Sequence, residues 1–509
     1  MSFLSYLNEN INVKPKAQFA GVIVVFGVLS RIIFWLIFHP QDIPGVRPLN
    51  FYEIALERYF IDYITYYHTK PIGMLIVDKL ILLFTGQVAY GRLILISVLD
   101  IFASFILFRF LQRIHSNSKL NIIITFIFSV TLIGWEFWRK SYHFDHANVF
   151  LFLLVSWAYF EFIRTLNIKS AVIFSLSLVV FSLFHSLGFI IALGLVTLSM
   201  INNTTALNKK VLAVLLTSIV FINLPNLKNY MQAGVFAPAT VGGQNAFQLA
   251  TSASLDHTNS LVNASNAPEW WKWCYRKAVN KELNVYHGIY GQCFDYEETK
   301  SAVNLDFSSM RRVAVDLNED DLVAIIDYDL ETAATRPWRL VGGVNESNTR
   351  FSVEYGKIGY SLWIDAMLNN PKHITSVIGA TIDDSIRSSL IMYKVNYEPQ
   401  HQTDNALVKA TGFIIGWMAI LGLMASTFWV TVNFKHMVLA LLHRGPSLGA
   451  SEQYHLSVGL LSWGVIVTFA MTTCCENPRM TFPLVGLSTV TFYYTIQQLV
   501  IYWKKIKDE

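Results

Sequence analysis

Apolar runs alternate with short charged turns along most of this chain, and one long polar segment interrupts them past the middle. A helix needs about 20 mostly apolar residues to cross a bilayer. Phe19–Phe38 has that length despite Arg31 within it, and Phe34, Trp35 and Phe38 suit an outer interface. Further spans are expected at about Gly91–Phe110, Leu120–Phe137, Val149–Phe162, Ala171–Phe184, Leu187–Met200 and Val211–Leu224, and then at Val408–Val430, Leu456–Thr473 and Thr481–Tyr502. That makes about ten in all. Between the first two lies Phe38–Gly73, which concentrates Asp42, Arg47, Glu53, Glu57, Arg58, Asp62, His68 and Lys70. Within it, Leu49–Tyr67 has helical periodicity, with Phe51, Ile54, Ala55 and Tyr59 on one stripe and Glu53, Glu57 and Arg58 off it. Met74–Phe84 is apolar but short, and Asp78 and Lys79 interrupt it. Both stretches are expected to lie in the interface as helices that do not cross.

Charge fixes the sidedness. One set of loops carries Lys14 and Lys16; Arg109, Arg113 and Lys119; Arg164 and Lys169; Lys209 and Lys210; Lys435 and Arg444; and Lys504, Lys505 and Lys507. Lysine and arginine favour the cytoplasmic side. Both termini are then cytoplasmic, while loop 39–73, Arg139–Asp145, the polar segment and Glu476–Arg479 face out. Counting Met74–Phe84 as a span would reverse every later loop. The chain therefore divides into an N-terminal membrane module (1–224, including outer loop 39–73), an extracytoplasmic segment (225–405) and C-terminal membrane helices (406–509). The middle segment has charge clusters and short β-branched stretches such as Leu322–Asp327, which predict a small mixed α/β domain. Its Trp270, Trp271 and Trp273 are expected to be core rather than sugar platforms.

Composition agrees with a polytopic α-helical membrane protein. The 509 residues are 53% hydrophobic and only 15% charged, against about a quarter charged in soluble domains. Mean hydropathy is +0.41. A net charge of +4 gives no reason to expect nucleic acid as a partner. No cleavable signal peptide is expected, because the first apolar run lacks a small-residue cleavage site. Of four cysteines, Cys274 and Cys293 lie in the outward segment, where a disulfide between them competes with a pair of free buried thiols.

Four outward polar groups stand near membrane level: Asp42; His68-Thr-Lys70-Pro71; Arg139–Asp145; and Glu476-Asn-Pro-Arg479. Taken singly, each could cap a helix or anchor to headgroups. Together on one face they predict an aqueous polar site. Lysine and arginine stabilise the charge of a departing phosphate, and a carboxylate takes the proton of an attacking hydroxyl. The same groups suit a transporter of an anionic solute. His143 and His146 flank Asp145 without strict ligand spacing, so no metal is assigned.

The order of these groups resembles the GT-C superfamily of polyprenyl-phosphate-sugar-dependent glycosyltransferases, in particular protein O-mannosyltransferases and lipid A aminoarabinose transferases. Those proteins carry an acidic residue in the first outer loop and a Lys-Pro before an apolar helix, matched by Asp42 and Lys70-Pro71. An aspartate at the outer end of the third span is matched by Asp145, and an outer basic residue between two short middle spans by His185. Phe236–Asn245 resembles their paired-glycine segment, and Glu476–Pro483 their acidic–arginine–proline turn. The resemblance covers the membrane portion in order. One departure concerns the carboxylate. Family members place adjacent Asp-Glu a few residues before the Tyr of the first interfacial helix, whereas Asp42 lies ten residues before Tyr52 and precedes Ile43. Glu53 therefore stays a second candidate and Asp62 a third. A histidine at 185 in place of lysine would make a phosphate contact pH-dependent.

The resemblance implies an inverting glycosyltransferase in the bacterial inner (plasma) membrane with its active site on the periplasmic face. Asp42 or Glu53 would be catalytic, and Lys70, Asp145, His185, Glu476 and Arg479 would bind the donor phosphate and substrate. A polyprenyl-phosphate sugar would be the donor, a glycan, lipid or protein the acceptor, and no cofactor is called for. The rival readings are a transporter or flippase of lipid-linked saccharide, and a polymerase or ligase that uses a whole glycan.

Overall fold

The computed structural model describes residues 18–38, 56–66, 72–114, 118–138, 145–185, 188–202, 208–237, 266–273, 307–335, 350–369, 406–441, 449–472 and 485–508, with positions 375 and 379. Among them every regular element is helical and no strand occurs. The first is α1 (Gln18–Phe38). Two short helices follow, α2 (Phe60–Tyr66) and α3 (Gly73–Thr85). Then come α4 (Val88–Ile114), α5 (Ser118–Trp138), α6 (Asp145–Thr165), α7 (Ile168–Phe184), α8 (Gly188–Asn202) and α9 (Lys209–Ala233). The middle segment contributes α10 (Phe307–Asp316), α11 (Asp320–Thr335) and α12 (Arg350–Asn369). The chain ends with α13 (Ala406–Leu441), α14 (Ala450–Thr472) and α15 (Val485–Asp508).

The described residues of each stretch expected to span are helical, and local chemistry sets several ends. The Asn167 side chain accepts from Ser170 N–H at 2.9 Å and starts α7; Asn208 does the same for α9 through Val211 N–H. Gly86 and Gly234 end α3 and α9 with φ of +70° and +66°, a conformation glycine takes without steric cost. On length and composition, Gly91–Arg113, Ala147–Thr165 and Lys209–Ala233 can each cross a membrane. Leu29, Ile33 and Leu36 of α1 and Val220, Phe221 and Leu224 of α9 are exposed, as on helices facing lipid. These features are those of a helical membrane protein.

The core is aromatic and joins the two ends of the sequence. Phe110 of α4 packs on Phe160 of α6 at 5.2 Å and on Tyr454 of α14 at 5.1 Å. Hydrogen bonds of 2.8 Å join Ser156 to Tyr454 and Tyr159 to Ser457, tying α6 to α14 where water is excluded.

Four expectations need correction. The segment boundary at 224 falls inside α9, which continues through Pro225 to Ala233. Proline costs one helical hydrogen bond there, and the nearby Asn223 side chain donates to Ile219 O at 2.8 Å. In the middle segment the described residues are helical, not mixed α/β. Leu322–Asp327 lies in α11, where Leu322, Ile326 and Asp329 recur at helical spacing on its buried face. Asp329 accepts from the N–H groups of Arg350 and Phe351 at 2.8 and 2.9 Å, capping α12. Trp270 and Trp271 are core, as expected, packed with Leu322, Ile326, Phe351 and Tyr355. On the 56–66 segment the buried residues are Leu56 and Tyr63, while Tyr59 is exposed. Leu75 and Val88 cover the first two and so choose the stripe. Finally, Asp78 is not a mere interruption in α3: it is wholly buried and ion-paired to Arg92 of α4.

Candidate functional site

Asp42, Glu53, Lys70, Glu476, Arg479, Cys274 and Cys293 lie outside the described residues. Asp145, His185 and Asp62 are described, and so are the helices that flank most of the others. Asp145 opens α6, where an acidic residue favours the helix dipole. Asp62 is exposed on α2.

His185 stands just past the end of α7. Its N–H donates to Phe181 O at 3.0 Å, and its carbonyl accepts from Gly188 N–H at 2.8 Å, which closes the turn into α8. The ring is stacked on Phe181 at 5.4 Å and meets Phe152 of α6 edge-on at 5.6 Å. This burial pushes the imidazole down to about 4. Burial therefore disfavours the charged ring, so His185 is a poor source of positive charge for an anion.

Two glycines make the turn possible. A Cβ on Gly73 would stand 2.6 Å from Leu183 O, and one on Gly188 would stand 2.5 Å from Ser182 Cα. Only a residue without a side chain allows either approach. Gly73 begins α3 directly after Lys70-Pro71-Ile72, so the helix that follows Lys70 starts against the residues that precede His185.

The segment holding Glu476 and Arg479 leads into α15, and Gly486 in the first turn of α15 abuts Leu153 of α6. Leu153 is next to Phe152, the residue that touches His185. Asp145 lies two turns before Phe152 on α6, about 10.5 Å along the helix. The start of α3, the first half of α6, the end of α7 and the start of α15 therefore meet at one end of the bundle. Asp145 opens α6 and His185 follows α7, while in sequence His68–Lys70 precede α3 and Glu476–Arg479 precede α15.

Two charged residues at this end are not evident from the motifs. Arg92, in the first turns of α4, holds Asp78 of α3. Lys228, near the end of α9, donates to Ile64 O of α2 at 3.1 Å. A lysine or arginine within the first or last turns of an apolar helix is the signal that could have flagged both. Between α8 and α14 lies an apolar cavity of about 170 Å³, lined by Ile190, Leu195, Leu198, Leu461 and Gly464 among others. Its α8 wall begins five residues after His185. No group of His, Cys, Asp and Glu among the described residues is placed to hold a metal ion. No protein-family model and no curated protein matches the chain.

Proposed function

We propose that the protein is a membrane-embedded glycosyltransferase that moves one sugar from a polyprenyl-phosphate donor to an acceptor at the outer face by an inverting displacement. The observation that supports this reading is the meeting of α3, α6, α7 and α15 at one end of the bundle. In sequence, α3 and α15 follow the segments holding Lys70 and Arg479, α6 begins at Asp145 and α7 ends before His185, residues that the family resemblance assigns to the site. Lys70 and Arg479 would neutralise the departing phosphate, and Asp42 or Glu53 would take the acceptor proton. The apolar cavity beside α8 suits the hydrocarbon of a lipid-linked donor. Active sites on loops held by a rigid scaffold are the common arrangement. The test is transfer by purified protein from a panel of radiolabelled polyprenyl-phosphate sugars to membrane extracts. Failure with every donor counts against the assignment.

A second reading, transport of an anionic solute or lipid-linked saccharide, draws on Arg31 and Asp100, which are buried in α1 and α4. Arg31 Nη1 donates to Ser129 Oγ of α5 at 3.1 Å. Ionisable groups within a membrane bundle often mark a path. Flux of labelled saccharide lipid into sealed proteoliposomes, with no covalent product, would favour this reading.

A further inference from the structure

Helix α2 has seven residues, and a helix so short does not persist alone in water. One side of its segment is held by apolar packing of Leu56 and Tyr63 on Leu75 and Val88. The backbone is held by two lysines from other helices. Lys79 of α3 donates to Glu57 O at 3.4 Å, with its ammonium 5.9 Å from the Phe60 ring. Lys228 of α9 donates to Ile64 O at 3.1 Å, across 164 positions of sequence. The second contact differs in kind. Ile64 is in the last turn of α2, where carbonyls have no partner in the helix and the dipole favours a cation. A lysine near a membrane surface ordinarily extends its charge toward headgroups and water. Lys228, partly buried, gives at least one hydrogen bond to the main chain of a segment distant in sequence.

We infer that Lys228 is a positioning residue for the outer loop: its ammonium fixes the end of α2, the point from which the chain leaves toward Lys70. The consequence for sugar transfer rests on the proposed function; the clamp itself does not. Lys228 contacts backbone that lies between Glu53 and Lys70, so its loss loosens both flanks of the site while leaving α6 and α7 unchanged.

Hydrogen exchange of the purified full-length protein tests the clamp without any substrate. Tyr63 N–H donates to Tyr59 O at 2.8 Å and so reports on the segment. In Lys228→Met, amides of 60–66 should exchange about tenfold faster or more, with α6 and α7 at wild-type rates. Lys228→Arg should restore protection, since a guanidinium can also reach a carbonyl. Should the methionine variant aggregate, Lys228→Gln keeps a donor of shorter reach and is measured in the same way. In transfer assays the methionine variant should lose kcat, with donor KM within about twofold of wild type. Unchanged exchange across 60–66 overturns the inference. Raised donor KM with unchanged exchange also overturns it and makes Lys228 a substrate contact. Faster exchange in a protein that transfers no sugar from any donor leaves the clamp standing and removes the proposed function.

Discussion

Arg92 reaches both carboxylate oxygens of Asp78, with Nε 2.6 Å from Oδ1 and Nη2 on Oδ2, and the Asp78 side chain is entirely buried. The pair fastens the short α3 to the first turns of α4. Removing one partner of a buried pair leaves the other charge without compensation, which costs about 3–5 kcal/mol, whereas replacing both by apolar groups is often neutral. Asp78→Ala should therefore lower the denaturation midpoint in detergent sharply, and Asp78→Leu with Arg92→Met should recover most of the loss. Equal destabilisation by the single and double variants would show that packing, not charge, holds α3.

Gly73 makes a narrower claim. Its missing side chain lets α3 start against Leu183 O, with no room for a Cβ. Gly73→Ala should cost about 1–3 kcal/mol by overpacking. It should also move the start of α3 away from His185, so transfer should fall further than stability alone explains. Thermal unfolding and kcat/KM measured on one preparation separate the two effects. A variant with wild-type kcat/KM would remove the α3–α7 approach from the argument for the site.

These two relationships mark where sequence reasoning stops. The helices were legible because each needs a long apolar run, and the runs of α1, α4 and α5 coincide with it closely. Asp78 read as an interruption because its partner is 14 positions away, on a helix whose orientation no local pattern gives. The sequence put Tyr59 on the apolar stripe, but the neighbours Leu75 and Val88 bury Leu56 and Tyr63 instead. The boundary at 224 was set by where the polar segment begins, whereas α9 runs on through Pro225 to Ala233. Leu322–Asp327 looked like a strand because two adjacent isoleucines outweighed the spacing of Leu322, Ile326 and Asp329. Of the candidate site, only the motifs and their order were legible in the sequence. The contact of Gly73 with Leu183, which sets the start of α3 against the end of α7, was not.

Sidedness can be checked directly. The lysine and arginine bias places both termini and Lys435–Arg444 in the cytoplasm and 225–405 outside. Cysteines introduced at Asn345 and Ser447 should label oppositely with an impermeant thiol reagent on intact cells. Equal labelling of both from outside would break the topology.

The outward placement carries a redox expectation as well. Cys274 and Cys293 would enclose a short loop in an oxidising compartment, and such a bridge typically stabilises by about 2–4 kcal/mol. Alkylation of unreduced, denatured protein, read by mass spectrometry, should leave both unmodified. Two alkylated cysteines would reject the bridge.

The carboxylate is the sharpest test of the proposed chemistry. In sequence, Asp42 follows the first apolar run and precedes the α2 segment and Lys70, and the proposed site puts it at membrane level. A base there can reach an acceptor arriving from outside and a sugar held beneath the phosphate. Asp42→Asn keeps the size of the side chain but cannot accept the proton, so transfer should fall by about two to four decades. Donor binding should persist, because the base acts on the acceptor. An acceptor that is itself a phosphate is already anionic and needs no base, and the loss should then be smaller. Glu53→Gln, assayed in the same membranes at matched expression, is the control. An inactive Glu53→Gln beside an active Asp42→Asn moves the catalytic role to Glu53, the neighbour of Tyr52. Full activity in both variants, with a hydroxyl acceptor, leaves the inverting mechanism without its base and counts against the glycosyltransferase reading itself.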